Sequence, residues 1–259
     1  MRSSVSRRCL TLFALLVLSQ LTGCTTRFVQ DKPIVFEPAG AVEIDIESFG
    51  GDVRIHASKE KFSDIRVVAR KEAVHGSWRE DEARASLEEI DYEVEMVSGE
   101  MGPRLRIRTH TTHEEAHYQR VHLRITLPEA EHVTIRTRKG YVEARGITGR
   151  LDVRTSEKGV RVLTNRPMTR PVRIVTSGGD IDYRVRGESR GRFDAETIGG
   201  QIIRRVRYGQ YVAEAGSSAH RMVGRLNDGE NPVLLRTSHA DIRIAVVDNP
   251  EQVGRLIVD

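Results

Sequence analysis

The densest group of chemically capable side chains in this sequence is His110-Thr-Thr-His113-Glu114-Glu115-Ala116-His117, which contains a literal H-E-x-x-H. On a helix that spacing puts two imidazoles on one face to hold zinc while the glutamate activates water. Here the string lies between strand patterns at residues 105–108 and 121–127, which leaves little room for a long helix, and no clear third ligand follows on a second helix. His122 is near, but it alternates with Val121, Leu123 and Ile125 as a strand residue does. The string reads as a polar loop, with no catalytic residue, metal or cofactor expected, although a His-rich loop remains capable of adventitious metal binding.

Paired carboxylates are the second chemistry to weigh, because a polysaccharide-active enzyme on a parallel β-helix would use them as acid and base. Asp152, Asp182, Asp194 and Glu196 fall on outward strand positions, yet their scatter selects no pair. Turn aspartates are the third. Asp52, Asp180 and Asp241 each follow Gly-Gly or its equivalent, as turn residues do. Calcium needs more oxygen ligands per site than such turns supply.

The N-terminus carries chemistry of another kind. Arg2, Arg7 and Arg8 precede an apolar stretch at residues 10–18 and then Leu21-Thr22-Gly23-Cys24, the layout of a secretory signal too short to span a bilayer. The ending resembles a bacterial lipobox. That resemblance implies cleavage before Cys24, lipidation of its thiol and, with Thr25 rather than Asp next, sorting to the outer membrane of a two-membrane cell. Cys9 and Cys24 are the two cysteines. Cys9 would leave with the signal, so the mature chain is expected to hold no internal disulfide. The 259 residues have 41 basic and 37 acidic side chains, and removing the three signal arginines leaves 38 against 37. So even a balance excludes the net positive footprint that phosphate-backbone binding needs, and no nucleic acid partner is expected.

The elements that position these groups are repeats. VTIRTRKGYVEA, LDVRTSEKGVRV, VRIVTSGGDIDY, FDAETIGGQII and VLLRTSHADIRI share one phrase, with Thr137, Thr155, Thr176, Thr197 and Thr237 each five residues before a β-branched residue, and IDIESFGGDVRI is an earlier copy. The threonines are spaced by 18, 21, 21 and 40 residues. Alternation puts the first apolar pair and the Thr inward, so stacking in chain order would align Ile135, Val153, Ile174, Ala195 and Leu235. The 40-residue gap equals two periods and predicts a degenerate coil at residues 211–215. A coil cannot bury its apolar face alone, which requires stacking and capped ends. Residues 77–90, with Ser77 and Glu80 at capping-box spacing and Ala83, Leu87 and Ile90 at helical intervals, predict one helix, with Trp78 packed at its start.

The strand ending in Leu127-Pro128, the run VTIRTRKGYVEARGITGRLDVRTSEKGV and the turns Ser177-Gly178-Gly179-Asp180-Ile181 and Ser238-His239-Ala240-Asp241-Ile242 resemble a bacterial adhesin-type family of short β-strand-repeat domains, whose biochemical activity is unknown. The resemblance implies adhesion or another surface interaction. This chain departs from the family's Thr-Ser-x-Gly-Asp turn at Lys139-Gly140-Tyr141, at Gly199-Gly200-Gln201 and at Ala240.

The reading is an all-β chain: a right-handed parallel β-solenoid of about twenty residues per coil with an N-terminal β-rich cap carrying one helix. The expected divisions are a lipoprotein signal peptide at 1–23, a tether at 24–40, the cap at 41–128 and the solenoid at 129–259. The expected function is a non-enzymatic, lipid-anchored envelope protein presenting a surface to an envelope protein, a glycan or another copy of itself. The alternatives are a periplasmic sensory or regulatory module, a glycan-active enzyme and a metalloprotease. Cys24, as the lipid attachment point to the membrane, is the one site residue assigned.

Overall fold

The computed structural model describes residues 24–38, 40–76, 78–112 and 118–252. The N-terminal part holds β1 (Cys24–Gln30), β2 (Ile34–Phe36), β3 (Val42–Ser48), β4 (Val53–Ala57), β5 (Ile65–Gly76), α1 (Glu80–Glu88), β6 (Ile90–Ser98), β7 (Pro103–Thr111) and β8 (Gln119–Leu127). The repeats supply β9 (Ala130–Thr137), β10 (Val142–Arg145), β11 (Arg150–Arg154), β12 (Val160–Leu163), β13 (Val172–Val175) and β14 (Ile181–Val185). They continue with β15 (Gly191–Thr197), β16 (Ile202–Val206), β17 (Tyr211–Ala213), β18 (Arg221–Leu226), β19 (Pro232–Thr237) and β20 (Ile242–Val246). The signal segment and the H-E-x-x-H residues 113–117 lie outside the described residues.

Each copy of the phrase is a strand, a tight turn and a second strand, and the two strands enter different sheets. The front sheet runs β17-β18-β15-β19-β13-β11-β9-β3-β7-β6, and the back sheet runs β1-β5-β8-β4-β10-β12-β14-β20-β16 with β2 also on β5. Strands joined coil to coil are parallel. Alternation sets one face of each sheet inward, so Ile46, Ile135, Val153 and Ile174 on the front and Val53, Val142, Val160 and Ile181 on the back are wholly buried in one core. The all-β solenoid with one helix among its described residues is therefore the fold.

The order of the coils departs from chain order. Ile174 of β13 pairs with Leu235 of β19, and Leu235 in turn pairs with Ala195 of β15. The last coil in the sequence is thus threaded between the two that precede it. The expected degenerate coil does not form: β17 and β18 make an antiparallel hairpin that lies against β15. Side-chain contacts fit this order. Asp180 in the turn before β14 accepts the Asp241 amide at 3.0 Å and pairs with Arg243 at 2.6 Å. The residue of β16 corresponding to Arg243 is Ile203, which offers that carboxylate nothing. Asn227 and Asp228 take positive φ (49° and 52°), and Asn227 donates to the carbonyls of Gly187 at 2.6 Å and Ser189 at 2.7 Å, fixing the turn that sends β19 back into the stack.

Coils are stapled by the repeated threonine. Thr155 Oγ1 donates to Gly140 O (3.1 Å), Thr176 to Lys158 O (3.0 Å), Thr237 to Gly179 O (3.1 Å) and Thr197 to Ala240 O (2.8 Å). Each hydroxyl reaches the turn of the adjacent coil, and the last two confirm the threaded order. The turns themselves touch: a Cβ on Gly179 would lie 2.1 Å from Lys158 C, and one on Gly140 would lie 2.0 Å from Gly51 O.

At the N-terminal end β7 and β6 extend the front sheet while β8, β5 and β1 extend the back one. The span expected as a tether carries β1 and β2, both paired to β5. The helix is shorter than expected. Its N-cap is Arg79, with no side-chain cap, so the capping-box reading fails; Ser77 lies outside the described residues. The acidic first turn, Glu80, Asp81 and Glu82, suits the positive end of the helix dipole instead. Trp78 is 81% exposed rather than packed, and the helix docks through Ala83 and Ser86, whose Oγ is 2.8 Å from His75 Nε2.

Thr176→Val leaves Lys158 O and the Gly179 amide without their partner, and should cost about 1–3 kcal/mol in denaturant unfolding, while Thr176→Ser retains most of it. Truncation after residue 231 removes an internal coil and should abolish the cooperative unfolding of the 172–231 region. A terminal coil could be removed with that transition intact.

Candidate functional site

Outward strand positions of the front sheet carry arginines and carboxylates in alternation, and the register sets them side by side. Arg106 meets Glu95 at 2.5 Å, Arg108 meets Asp45 at 2.5 Å and Glu47 at 3.3 Å, and Arg136 meets Glu47 at 3.2 Å. Further along, Arg154 meets Asp152 at 3.4 Å, and Arg236 bridges Asp194 (2.7 Å) and Glu196 (3.5 Å). Glu43 is the deepest member. Burial alone would raise its carboxyl, but the Met101 amide and the Arg104 guanidinium at 2.6 Å hold it below its ordinary value.

The lattice opens into a groove of about 730 Å³ where β3, β7, β9 and β11 end. Its working groups are Arg108, Arg136, Arg138 and Arg154, with Glu47 and the half-buried ring of Phe49. Arg136 and Arg154 are direct cross-strand partners, so two arginines of adjacent strands line the groove. Two of the threonines lining the groove, Thr109 and Thr155, are already engaged. Thr109 Oγ1 donates to Ser48 Oγ at 3.1 Å and accepts the Phe49 amide at 3.2 Å, and Thr155 is committed to its staple. The groove therefore offers planar cationic donors and an aromatic surface, which suits binding of a polar, anion-bearing partner.

The structure does not gather the other candidates. Asp152, Asp194 and Glu196 face outward on the front sheet, each against an arginine, whereas Asp182 is on the back sheet and, contrary to expectation, is 6% exposed. It holds Arg184 through two hydrogen bonds of 2.7 and 2.8 Å and accepts a third from Arg161 at 3.1 Å. The turn aspartates act as staples: Asp52 Oδ1 accepts the Tyr141 amide (3.3 Å), and Asp241 Oδ1 accepts the Gln201 amide (3.0 Å). His110 lies 3.5 Å from Asp91 at the groove rim. Cys24 opens β1 opposite Gly76. What sequence reasoning missed is the groove itself, since it depends on which coils lie next to each other; the arginine on the second outward position of successive copies was the available signal.

Fold and surface together define a β-solenoid scaffold with a charged lattice on one sheet. The chain belongs to the Toastrack DUF4097 family, whose model matches residues 109–245. The crystal structure of a candidate cell adhesion protein from Clostridium sporogenes is similar over 85% of this chain and 99% of that one, at 13% identity and a TM-score of 0.53, a likeness of fold. A crystal structure of a candidate adhesin from Bacteroides fragilis covers 84% of this chain and 97% of its own at 12% identity, with a TM-score of 0.29. No curated protein matches the chain.

Because surface ion pairs contribute little to stability, Arg136→Ala should change the unfolding free energy by less than about 1 kcal/mol, and by less still in high salt. Chemical denaturation of that variant beside Thr155→Val separates the lattice from the staples.

Proposed function

We propose that this chain is a non-enzymatic, lipid-anchored protein of the bacterial cell envelope, whose front sheet is a binding or adhesion surface. The observation that carries the reading is the arginine–carboxylate lattice and its groove. Side chains that the staples leave unused are held in register by a rigid backbone, so a partner finds them preorganised and pays little ordering entropy. The name of the structurally similar Clostridium sporogenes protein points the same way.

The anchor rests on Leu21-Thr22-Gly23-Cys24. Acyl chains contribute about 0.8 kcal/mol per buried methylene, and stable attachment takes more than one chain, which lipidation at a lipobox cysteine supplies. With β1 starting at Cys24, little slack separates the lipid from the folded body, so the protein sits close to its membrane. The outer membrane is the expected location, and the partner is an envelope protein, a glycan or a second copy.

Labelled palmitate should enter the wild-type chain and not Cys24→Ala, and globomycin should leave the wild-type precursor uncleaved. Unchanged processing and membrane association in Cys24→Ala would contradict the anchor. For the surface, Arg136→Glu with Arg154→Glu should weaken attachment of expressing cells to their substratum at least about tenfold, with far-ultraviolet dichroism unchanged.

A further inference from the structure

A second concavity, of about 330 Å³, lies on the back sheet, over β4, β5 and β8 and beside the end of β1. Strand register builds it. Arg54 of β4 and Arg124 of β8 are cross-strand partners, Val68 of β5 lies beyond Arg124, and in the next row Gln30, Arg70 and His122 stand side by side. The two carboxylates that face this pocket are already engaged. Glu72 Oε2 is 2.7 Å from His122 Nε2, and its other oxygen is 3.4 Å from Arg120. Asp52 is 3.6 Å from Arg54, 3.7 Å from His122 Nδ1, and accepts the Tyr141 amide.

Two guanidiniums are left over. Arg124 has no hydrogen-bond or ion-pair partner among the described residues, and Arg70 is held over the Phe28 ring at 4.1 Å, with its buried Nε unpaired. Most outward arginines on these sheets meet a carboxylate, and like charges set together on adjacent strands destabilise a sheet. A bound anion would remove that penalty. A guanidinium presents its N–H groups as a fork that matches the oxygens of a carboxylate or phosphate.

The geometry points to an oxyanion-binding site in which Arg70, Arg124 and Arg54 clasp one phosphate or carboxylate group of a small ligand, with Gln30 at the rim. This site is separate from the front-sheet groove and does not depend on the lipid anchor. His122 tunes it. The Asp52 carboxylate, with Glu72 adding to it and burial opposing, holds the His122 imidazole above its ordinary value. The neutral ring accepts the Asp52 amide at Nδ1 (3.2 Å), and the protonated ring turns that nitrogen into a donor toward the Asp52 carboxylate. The groups facing it are Asp52, Glu72, Arg54, Arg70, Arg120 and Arg124. Protonation adds a positive charge to this set, so anion affinity rises as pH falls through the His122 titration.

The test is calorimetric titration of the purified full chain, at constant ionic strength in chloride, with inorganic phosphate, glycerol phosphate as a lipid-headgroup probe, and glucuronate as a carboxylate probe. Saturable binding of at least one is expected, with affinity reduced about tenfold or more in Arg124→Gln and in Arg70→Gln. Arg173→Gln, an exposed front-sheet control, should bind as wild type does. Binding should be tighter below the ordinary imidazole value of about 6.5 than well above it. Preference for glycerol phosphate, inorganic phosphate or glucuronate assigns the source of the group. Absence of saturable binding by all three, or equal loss in Arg173→Gln, overturns the site. Should Arg124→Gln fail to fold, Arg54→Gln carries the same comparison.

Discussion

A threonine hydroxyl that reaches the turn carbonyl of the neighbouring coil is the contact on which the rest of this fold depends. The turn between the two strands of each coil is buried against the next, and its carbonyls cannot all be met by parallel ladders. Thr155, Thr176, Thr237 and Thr197 each donate to one of them, and turn residues Asp52, Asp180 and Asp241 accept amides across the same seam. A hydrogen bond left unmade in such a place costs more than one made contributes. The repeated threonine meets that need at these four positions, whereas the buried Thr137 Oγ1 has no hydrogen-bond partner among the described residues. The close glycine approaches follow from the same constraint: with turns packed backbone to backbone, a side chain at Gly179 has no room.

Threading the last coil into the interior of the stack has a consequence for assembly. β15 lacks its parallel neighbour until β19 arrives, about thirty-five residues later in the chain. The β17–β18 hairpin covers its other edge in the meantime and afterwards, which is one of the ways sheets avoid presenting an unpaired edge. Long-range pairing of this kind raises contact order and slows folding. The pairing of β19 ties the C-terminal third together across the chain, unlike a solenoid whose coils stack in chain order.

Much of this was legible. Alternation at Val133, Ile135 and Thr137 marked the buried face, the Thr-to-Thr period marked the coils, and the helix-bearing segment marked the capped end. The order of the coils was not legible from period alone, because a gap of two periods fits a hidden coil and a hairpin insertion equally well. One contact that distinguishes the two orders is at a single turn, where Asp180 meets Arg243 rather than Ile203. The helix start was misread because Ser77 and Glu80 have capping-box spacing, whereas the chain enters the helix at Arg79. Trp78 was misread because size favours burial, while here the ring faces outward. Asp182 was misread because alternation assigns a face but cannot say what covers it.

The stacking contacts and the proposed binding surface fall on opposite faces of the same strands. Inward threonines and aliphatic residues set the stack, and outward arginines and carboxylates, spared from that task, form the front-sheet lattice whose composition depends on which coils are neighbours. The coil order is therefore the central claim, and cysteine cross-linking tests it most directly. Val175 and Arg236 are cross-strand partners in the threaded order, so Val175→Cys with Arg236→Cys should form a disulfide under mild oxidation in the folded chain, and Val175→Cys with Glu196→Cys should not. Cross-linking of the second pair in place of the first would mean that the coils stack in chain order, and would contradict this account.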